Sequence, residues 1–153
     1  MKRILFGDNQ FFGINHMSEE KARQQAMRFQ DIDNVVDVLQ FALKAGAGGF
    51  MCTTHDTIEQ IADRVRAEPA AWDGFTFYPG MPYAHKYANA VTDHGYFGAL
   101  RKFLPSDGLV DTVLRGGAAV LGRDIERMMT LLVDAEMKMF RGLDTPVIFL
   151  QNV

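Results

Sequence analysis

"FALKAGAGGFMCTTHD", residues 41–56, contains the transition that decides the fold of this chain. An amphipathic helix ends at the glycine cluster Gly46–Gly49, and the apolar strand that follows gives way abruptly to two threonines, a histidine and an aspartate. A phosphate-binding loop has the opposite order, with the strand before the helix, so the glycines predict a simple turn. The whole segment is typical of one unit of a parallel α/β sheet.

Four apolar segments of strand length repeat this design, and each is bounded by turn residues. They are Ile4–Phe6, Gly49–Cys52, Phe75–Tyr78 and Val147–Leu150. Because these segments are apolar throughout rather than alternating, they are predicted to be parallel strands buried on both faces.

Apolar residues at helical spacing fill the intervals between these strands. Start and stop signals predict helices from Asp31 to Gly46, from a Thr57/Gln60 capping box to Pro69, and from Asp124 to Gly142. A further helix is predicted to begin at Ser18, where Glu19 and Glu20 complement the helix dipole. Connections of roughly 25 and roughly 45 residues follow strands one and three, where about 2–6 are usual, so extra helices are expected in both.

The order of strands and helices favours an α/β fold with right-handed parallel crossovers. It resembles the first four strands of a (β/α)8 TIM barrel, and the resemblance covers the chain from the first strand to the fourth. The length of 153 residues, with no internal repeat or linker, predicts a single domain over residues 1–153. That domain is either a half-barrel or a TIM barrel truncated at its C-terminus.

The composition excludes several classes of function. A chain of 153 residues with 48% hydrophobic and 23% charged residues is typical of a globular domain. Its net charge of −3 argues against a nucleic-acid partner. No run approaches the roughly 18 apolar residues of a membrane helix, and Met1–Arg3 leads into a stretch too short for a signal peptide, so a cytoplasmic protein is expected. The one cysteine, Cys52, excludes an internal disulfide and a zinc site made of cysteines alone.

Polar side chains follow every predicted strand at its carboxyl end. Those predicted to hydrogen-bond a small substrate are Asp8, Asn9, Gln10, Gln151 and Asn152. Those predicted to be catalytic are His55, Asp56, Tyr83, His85 and Lys86. Because the carboxyl ends of parallel strands lie on one side of the sheet, the sequence predicts a single site there.

His55 and Asp56 are the leading pair of this predicted site. His55 would move a proton, and Asp56 would orient the imidazole or stabilise its charge. Asp56 has an alternative role as a helix cap, and His85 with Lys86 can equally be a solvated loop pair. Cys52 lies within an apolar strand and is predicted to be an unreactive core residue.

Residues 41–56 also resemble the aldo/keto reductases, in which a helix ending in Ala-Gly runs into a strand that delivers a catalytic aspartate. The resemblance places Asp56 at that aspartate and Lys86 at the catalytic lysine, and it implies NADPH as cofactor. The chain departs from the family pattern in two places. Ile61 stands where a tyrosine is expected, and Gln151 and Asn152 stand where a histidine is expected.

Three hypotheses of function follow. The favoured one is a barrel enzyme that acts on a small polar molecule by general acid/base chemistry, as an oxidoreductase, a hydrolase or a lyase that uses Lys86. The second is an NADPH reductase. The third is a non-catalytic half-barrel that binds the missing barrel half or a second copy through its open sheet edge. His55, Asp56 and His85 have ligand types suited to a divalent metal, but no motif indicates either a metal or NADPH.

Overall fold

A computed structural model of the protein describes residues 4–81 and 125–150. Its helices are α1 (Glu19–Arg28), α2 (Ile32–Lys44), α3 (Asp56–Ala67) and α4 (Ile125–Met137). Its strands are β1 (Leu5–Gly7), β2 (Gly49–Thr53), β3 (Thr76–Met81) and β4 (Phe149–Leu150). Short 3-10 helices span Asn9–Phe12, Pro69–Trp72 and Lys138–Phe140. None of the helices in these two ranges is long and apolar enough to cross a membrane.

The four strands form one parallel sheet in the order β1-β2-β3-β4, which confirms the predicted α/β class. Internal contacts divide the chain into two compact units. The first unit consists of Met1–Gly80 with Phe140–Phe149, and the second of Met81–Met139 with Leu150–Val153. In the second unit, Leu132 and Glu136 of α4 lie one helical turn apart and are both buried.

A row of phenylalanines forms the core of the first unit. Phe6, Phe50 and Phe77 occupy matching register positions on β1, β2 and β3. The rings of Phe50 and Phe77 are 6.1 Å apart, and Phe11 from the first 3-10 helix packs 5.7 Å from Phe6. Each such aromatic pair contributes about 0.5–1.5 kcal/mol beyond the burial of its area. This row therefore fixes the register of the first three strands.

The two faces of β2 differ, which corrects the prediction that the strands are buried on both faces. Phe50 is fully buried, whereas the next residue, Met51, is 41% exposed. Successive side chains of a strand point to opposite faces, so Met51 marks a second face of the sheet that is partly open. The prediction holds for β3, whose residues are all buried.

The bounds of β3 and β1 also differ from the predicted bounds. The sequence predicts that strand three ends at Tyr78, because proline and glycine follow it. In the structure Pro79 pairs with Cys52 and Gly80 with Thr53, and β3 continues to Met81. The predicted first strand residue, Ile4, lies outside β1 and is exposed.

The predicted caps of α1 and α2 are confirmed. The Ser18 side chain accepts a hydrogen bond from the Lys21 amide, and Asp31 accepts one from the Asp33 amide. Each cap satisfies an amide that the first turn of a helix leaves unpaired. The helix α2 ends at Lys44, and Gly46 follows with a positive φ of 88°, as its predicted role in the turn requires.

The predicted capping box of α3 is wrong. The helix begins at Asp56, and the carbonyl of His55 accepts hydrogen bonds from the amides of Ile58 and Glu59 at 2.9 and 3.2 Å. His55 is therefore the N-cap, and Thr57 already lies within the first turn. The predicted apolar stripe of α3 is buried, and the helix ends at Ala67, before Pro69 as expected.

The segment that leads into β4 holds the amino end of β3. The ring of Phe140 packs 5.2 Å from that of Phe77. Asp144 accepts a hydrogen bond from the Thr76 hydroxyl at 2.7 Å through its carboxylate, and one from the Phe77 amide at 2.8 Å through its carbonyl. The helix α4 gives way to the 3-10 helix Lys138–Phe140 before the predicted stop at Gly142, so Met139 lies outside α4.

Replacement of Gly13 by alanine is expected to destabilise the protein more than replacement of Gly46. Both glycines have positive φ, 66° and 88°, but an added Cβ at Gly13 would lie 2.8 Å from the Ala22 carbonyl oxygen and the Ala26 Cβ, whereas at Gly46 it would meet nothing within 4 Å. We expect a loss of about 1 kcal/mol for Gly46→Ala and about 2–4 kcal/mol for Gly13→Ala. Urea unfolding measures both, and equal losses would contradict the close packing of Gly13 on α1.

Candidate functional site

Asp8 connects the carboxyl ends of β1 and β2. It follows β1 directly, and its Oδ2 atom accepts hydrogen bonds from the backbone amide and the hydroxyl of Thr53, each at 2.7 Å. Thr53 is the last residue of β2. Asp8 is only 7% exposed. A buried carboxylate therefore lies at the end of the sheet where ligands bind in parallel α/β proteins.

His55 reaches the same end of the sheet from β2. The centroid of its ring lies 4.4 Å from that of Phe12, with an angle of 33° between the ring planes. Phe12 ends the 3-10 helix that follows β1, so the connections after β1 and β2 meet at this pair of rings. Thr54, between Thr53 and His55, is fully buried. The half-buried imidazole is thus supported on one side by an aromatic ring.

The other predicted residues of these two connections differ in their surroundings. Asp56 is the first residue of α3 and is exposed, where its charge complements the helix dipole. Asn9 is exposed, and the Gln10 side-chain amide donates to the Gly7 carbonyl at 2.9 Å. The remaining predicted site residues lie outside the described ranges: Tyr83, His85, Lys86, Gln151 and Asn152.

Cys52 is a buried free thiol next to this site. Burial raises its pKa well above the usual value, and the negative charge of Asp8 raises it further. A thiol with a raised pKa is a poor nucleophile near neutral pH, because little of it is thiolate. The surroundings of Cys52 agree with the predicted role as a core residue.

Two residues of the site were not among its predicted members. Thr53 provides both donors to Asp8, and Phe12 provides the ring beside His55. The sequence does contain a signal for Thr53, because it is the first polar residue after the predicted apolar strand. A threonine at such a position offers a carboxylate two donors, its backbone amide and its hydroxyl. Phe12 is one of several aromatic residues in the strand-end connections that could line a pocket, and the sequence does not indicate which of them meets His55.

Within residues 4–81 and 125–150, no group of three or more histidine, cysteine, aspartate or glutamate side chains is arranged to hold a metal ion. Comparisons with protein-family models, with curated proteins and with solved structures found no match. Inferences about function therefore rest on the geometry of the site itself.

The stability of the protein is expected to fall at alkaline pH in a way that depends on Cys52. The folded state binds the thiol proton more tightly than the unfolded state does. This contribution to stability is therefore complete below the ordinary cysteine pKa of about 8.5 and is lost as the pH rises toward the folded value. Cys52→Ala removes the thiol. The free energy of unfolding of this variant should therefore lack the pH-dependent contribution of the thiol, which changes by about 1.4 kcal/mol per pH unit.

The check is urea unfolding of the wild type and Cys52→Ala at several pH values between neutral and strongly alkaline. A steeper loss in the wild type is expected. Parallel curves would contradict the raised pKa, whatever the absolute stabilities of the two proteins. Slow modification of the native thiol by a disulfide reagent, and fast modification in urea, would support the same conclusion independently.

Proposed function

We propose that this chain forms the first four strands of a TIM-barrel enzyme. The sequential strand order supports this proposal, because doubly wound sheets reverse their order at a switch point. With right-handed crossovers, a sequential parallel sheet carries all its helices on one face, as a barrel does. The partly open face marked by Met51 would then correspond to the interior side of the barrel.

We propose that the enzyme acts on a small polar molecule by general acid/base chemistry, with His55 as the proton carrier. The single observation that supports this role most strongly is the half-buried imidazole packed on Phe12 at the end of the sheet that also holds Asp8. Histidine exchanges protons near neutral pH, and partial burial limits competition from water. Asp56, the next residue, would stabilise the imidazolium that forms.

The polar residues that follow β1 complete this proposal. Asp8, Asn9 and Gln10 would bind the substrate. The Gln10 amide would have to leave the Gly7 carbonyl to reach a substrate, so Asp8 is the stronger binding candidate of the first connection.

His55→Gln is expected to lower the rate of proton transfer by about 10²–10⁴-fold, the usual contribution of a general acid or base. The assay incubates the full chain in heavy water with small hydroxyaldehydes, hydroxyketones and hydroxyacids, and NMR follows exchange of the C–H protons next to their carbonyl groups. His16→Gln is the matched control, because His16 is exposed in the connection after β1. Asp56→Asn should lower the rate less than His55→Gln.

Two outcomes would contradict the proposal. One is a His55→Gln rate equal to that of the wild type. The other is the absence of exchange with every compound in the panel. Loss of exchange in His16→Gln as well would assign the effect to folding rather than to the imidazole of His55.

A second candidate function, a half-barrel that binds another protein chain, is supported by exposed apolar side chains at the sheet. Met51 on β2 is 41% exposed, and Ile4, next to β1, is 67% exposed. Soluble monomers rarely leave apolar groups of a sheet uncovered, since these promote association. The partner proposed for this second function is another copy of this chain.

Met51→Lys is expected to weaken this association, because a charge would be buried in the interface. Met27→Lys is the control, since Met27 is 67% exposed on α1, away from the sheet. Light scattering coupled to size exclusion measures the mass of each variant. A wild-type dimer that Met51→Lys alone converts to a monomer would support the second function, and a monomeric wild type would exclude self-association.

A further inference from the structure

The carboxylate of Asp8 uses one of its two oxygens. Oδ2 accepts both hydrogen bonds from Thr53, whereas Oδ1 accepts none from residues 4–81 or 125–150. An ionised carboxylate can accept about four hydrogen bonds. The described residues therefore leave part of the hydrogen-bonding capacity of Asp8 unused.

The unused oxygen is not fully buried. In the described part of the chain, Gln25 Oε1 is the fully buried side-chain polar atom that has no hydrogen-bond partner. Oδ1 of Asp8 also has no hydrogen-bond partner there but does not belong to this fully buried class, so a small part of it is exposed although the residue as a whole is only 7% exposed.

The position of this oxygen is fixed before any ligand arrives. Two short hydrogen bonds hold Oδ2 against the last residue of β2, and these bonds set the plane of the carboxylate. The negative charge acts on its surroundings, since it contributes to the raised pKa of Cys52. A prearranged negative acceptor attracts a donor group and repels an anion.

We propose that Asp8 Oδ1 accepts a hydrogen bond from a substrate hydroxyl and selects uncharged polyhydroxylated compounds over their acidic analogues. This inference rests on the proposed function, because it assigns a substrate class to the same site. The paired rings of Phe12 and His55 suit such a ligand, since the C–H face of a polyol packs on aromatic rings. Asp8 is in this proposal a specificity-determining residue and not the proton carrier.

The test compares two probes that differ by one charged group, xylitol and D-xylonate. NMR titrations of the full chain follow the backbone amide of Thr53, which donates to Asp8. Xylitol is expected to shift this signal saturably, and D-xylonate to bind at least about tenfold more weakly, because its carboxylate is repelled by Asp8. This comparison uses the wild type and does not depend on the folding of any variant.

Asp8→Asn keeps the size of the side chain and an acceptor for Thr53 but removes the charge. It is expected to weaken xylitol binding by about tenfold and to strengthen D-xylonate binding. Asp37→Asn, the same change at an exposed position of α2, should alter neither.

Three results would overturn the proposal: D-xylonate binding as tightly as xylitol, no response of Thr53 to xylitol, or unchanged selectivity in Asp8→Asn. Selective xylitol binding without proton exchange that depends on His55 would uphold this inference and refute the proposed chemistry. Proton exchange that depends on His55 without selective binding would do the reverse.

Discussion

The hydrogen bonds from Thr53 to Asp8 are the interaction on which the rest of the site depends. They join residues 45 positions apart in sequence and bring the ends of β1 and β2 to one place. Hydrogen bonds to a charged group contribute about 1.5–3 kcal/mol each, and a buried carboxylate without them would be strongly unfavourable. The register of the phenylalanine row leads to the same alignment of the two strands. The packing of the rings and the hydrogen bonds of Asp8 therefore favour the same register.

A second aspartate performs a related task at the opposite end of the sheet. Asp144 accepts hydrogen bonds from Thr76 and Phe77 at the start of β3, while Asp8 accepts two at the end of β2. Asp144 is itself exposed, whereas Asp8 is buried. Exposure lets water satisfy the remaining capacity of Asp144, whereas Asp8 has little contact with water. Of these two aspartates, Asp8 is therefore the one whose carboxylate is held mainly by the protein.

The sequence predicted the elements of this fold well where a local rule decides them. Ser18 and Asp31 cap their helices as expected, because N-capping depends on a few neighbouring residues. The sequence predicts that α3 begins at the Thr57/Gln60 capping box, whereas it begins at Asp56, after the His55 carbonyl that accepts hydrogen bonds from the Ile58 and Glu59 amides. The sequence predicts a turn at Pro79, whereas pairing with β2 keeps this residue in the strand. The first difference is local, and the second depends on a contact between residues distant in sequence.

In the candidate site, too, some features follow from the sequence and others depend on contacts between distant residues. That polar residues gather at the ends of the strands follows from the parallel order, and the sequence contains this information. Which of them meet does not follow, because the pairing of Asp8 with Thr53 and of Phe12 with His55 depends on the register and on the path of the first connection.

The short path from β2 to α3 also constrains His55. Thr53 is held by Asp8, Thr54 is buried, and the carbonyl of His55 caps the helix, so the backbone on both sides of the imidazole is fixed. A proton carrier needs this kind of restraint, because the rate of transfer depends on keeping the imidazole in place against its partner. The strand end that binds Asp8 and the helix start that follows His55 are therefore joined by two residues whose backbone is restrained on both sides. A substitution that shifts either end would therefore also shift the imidazole.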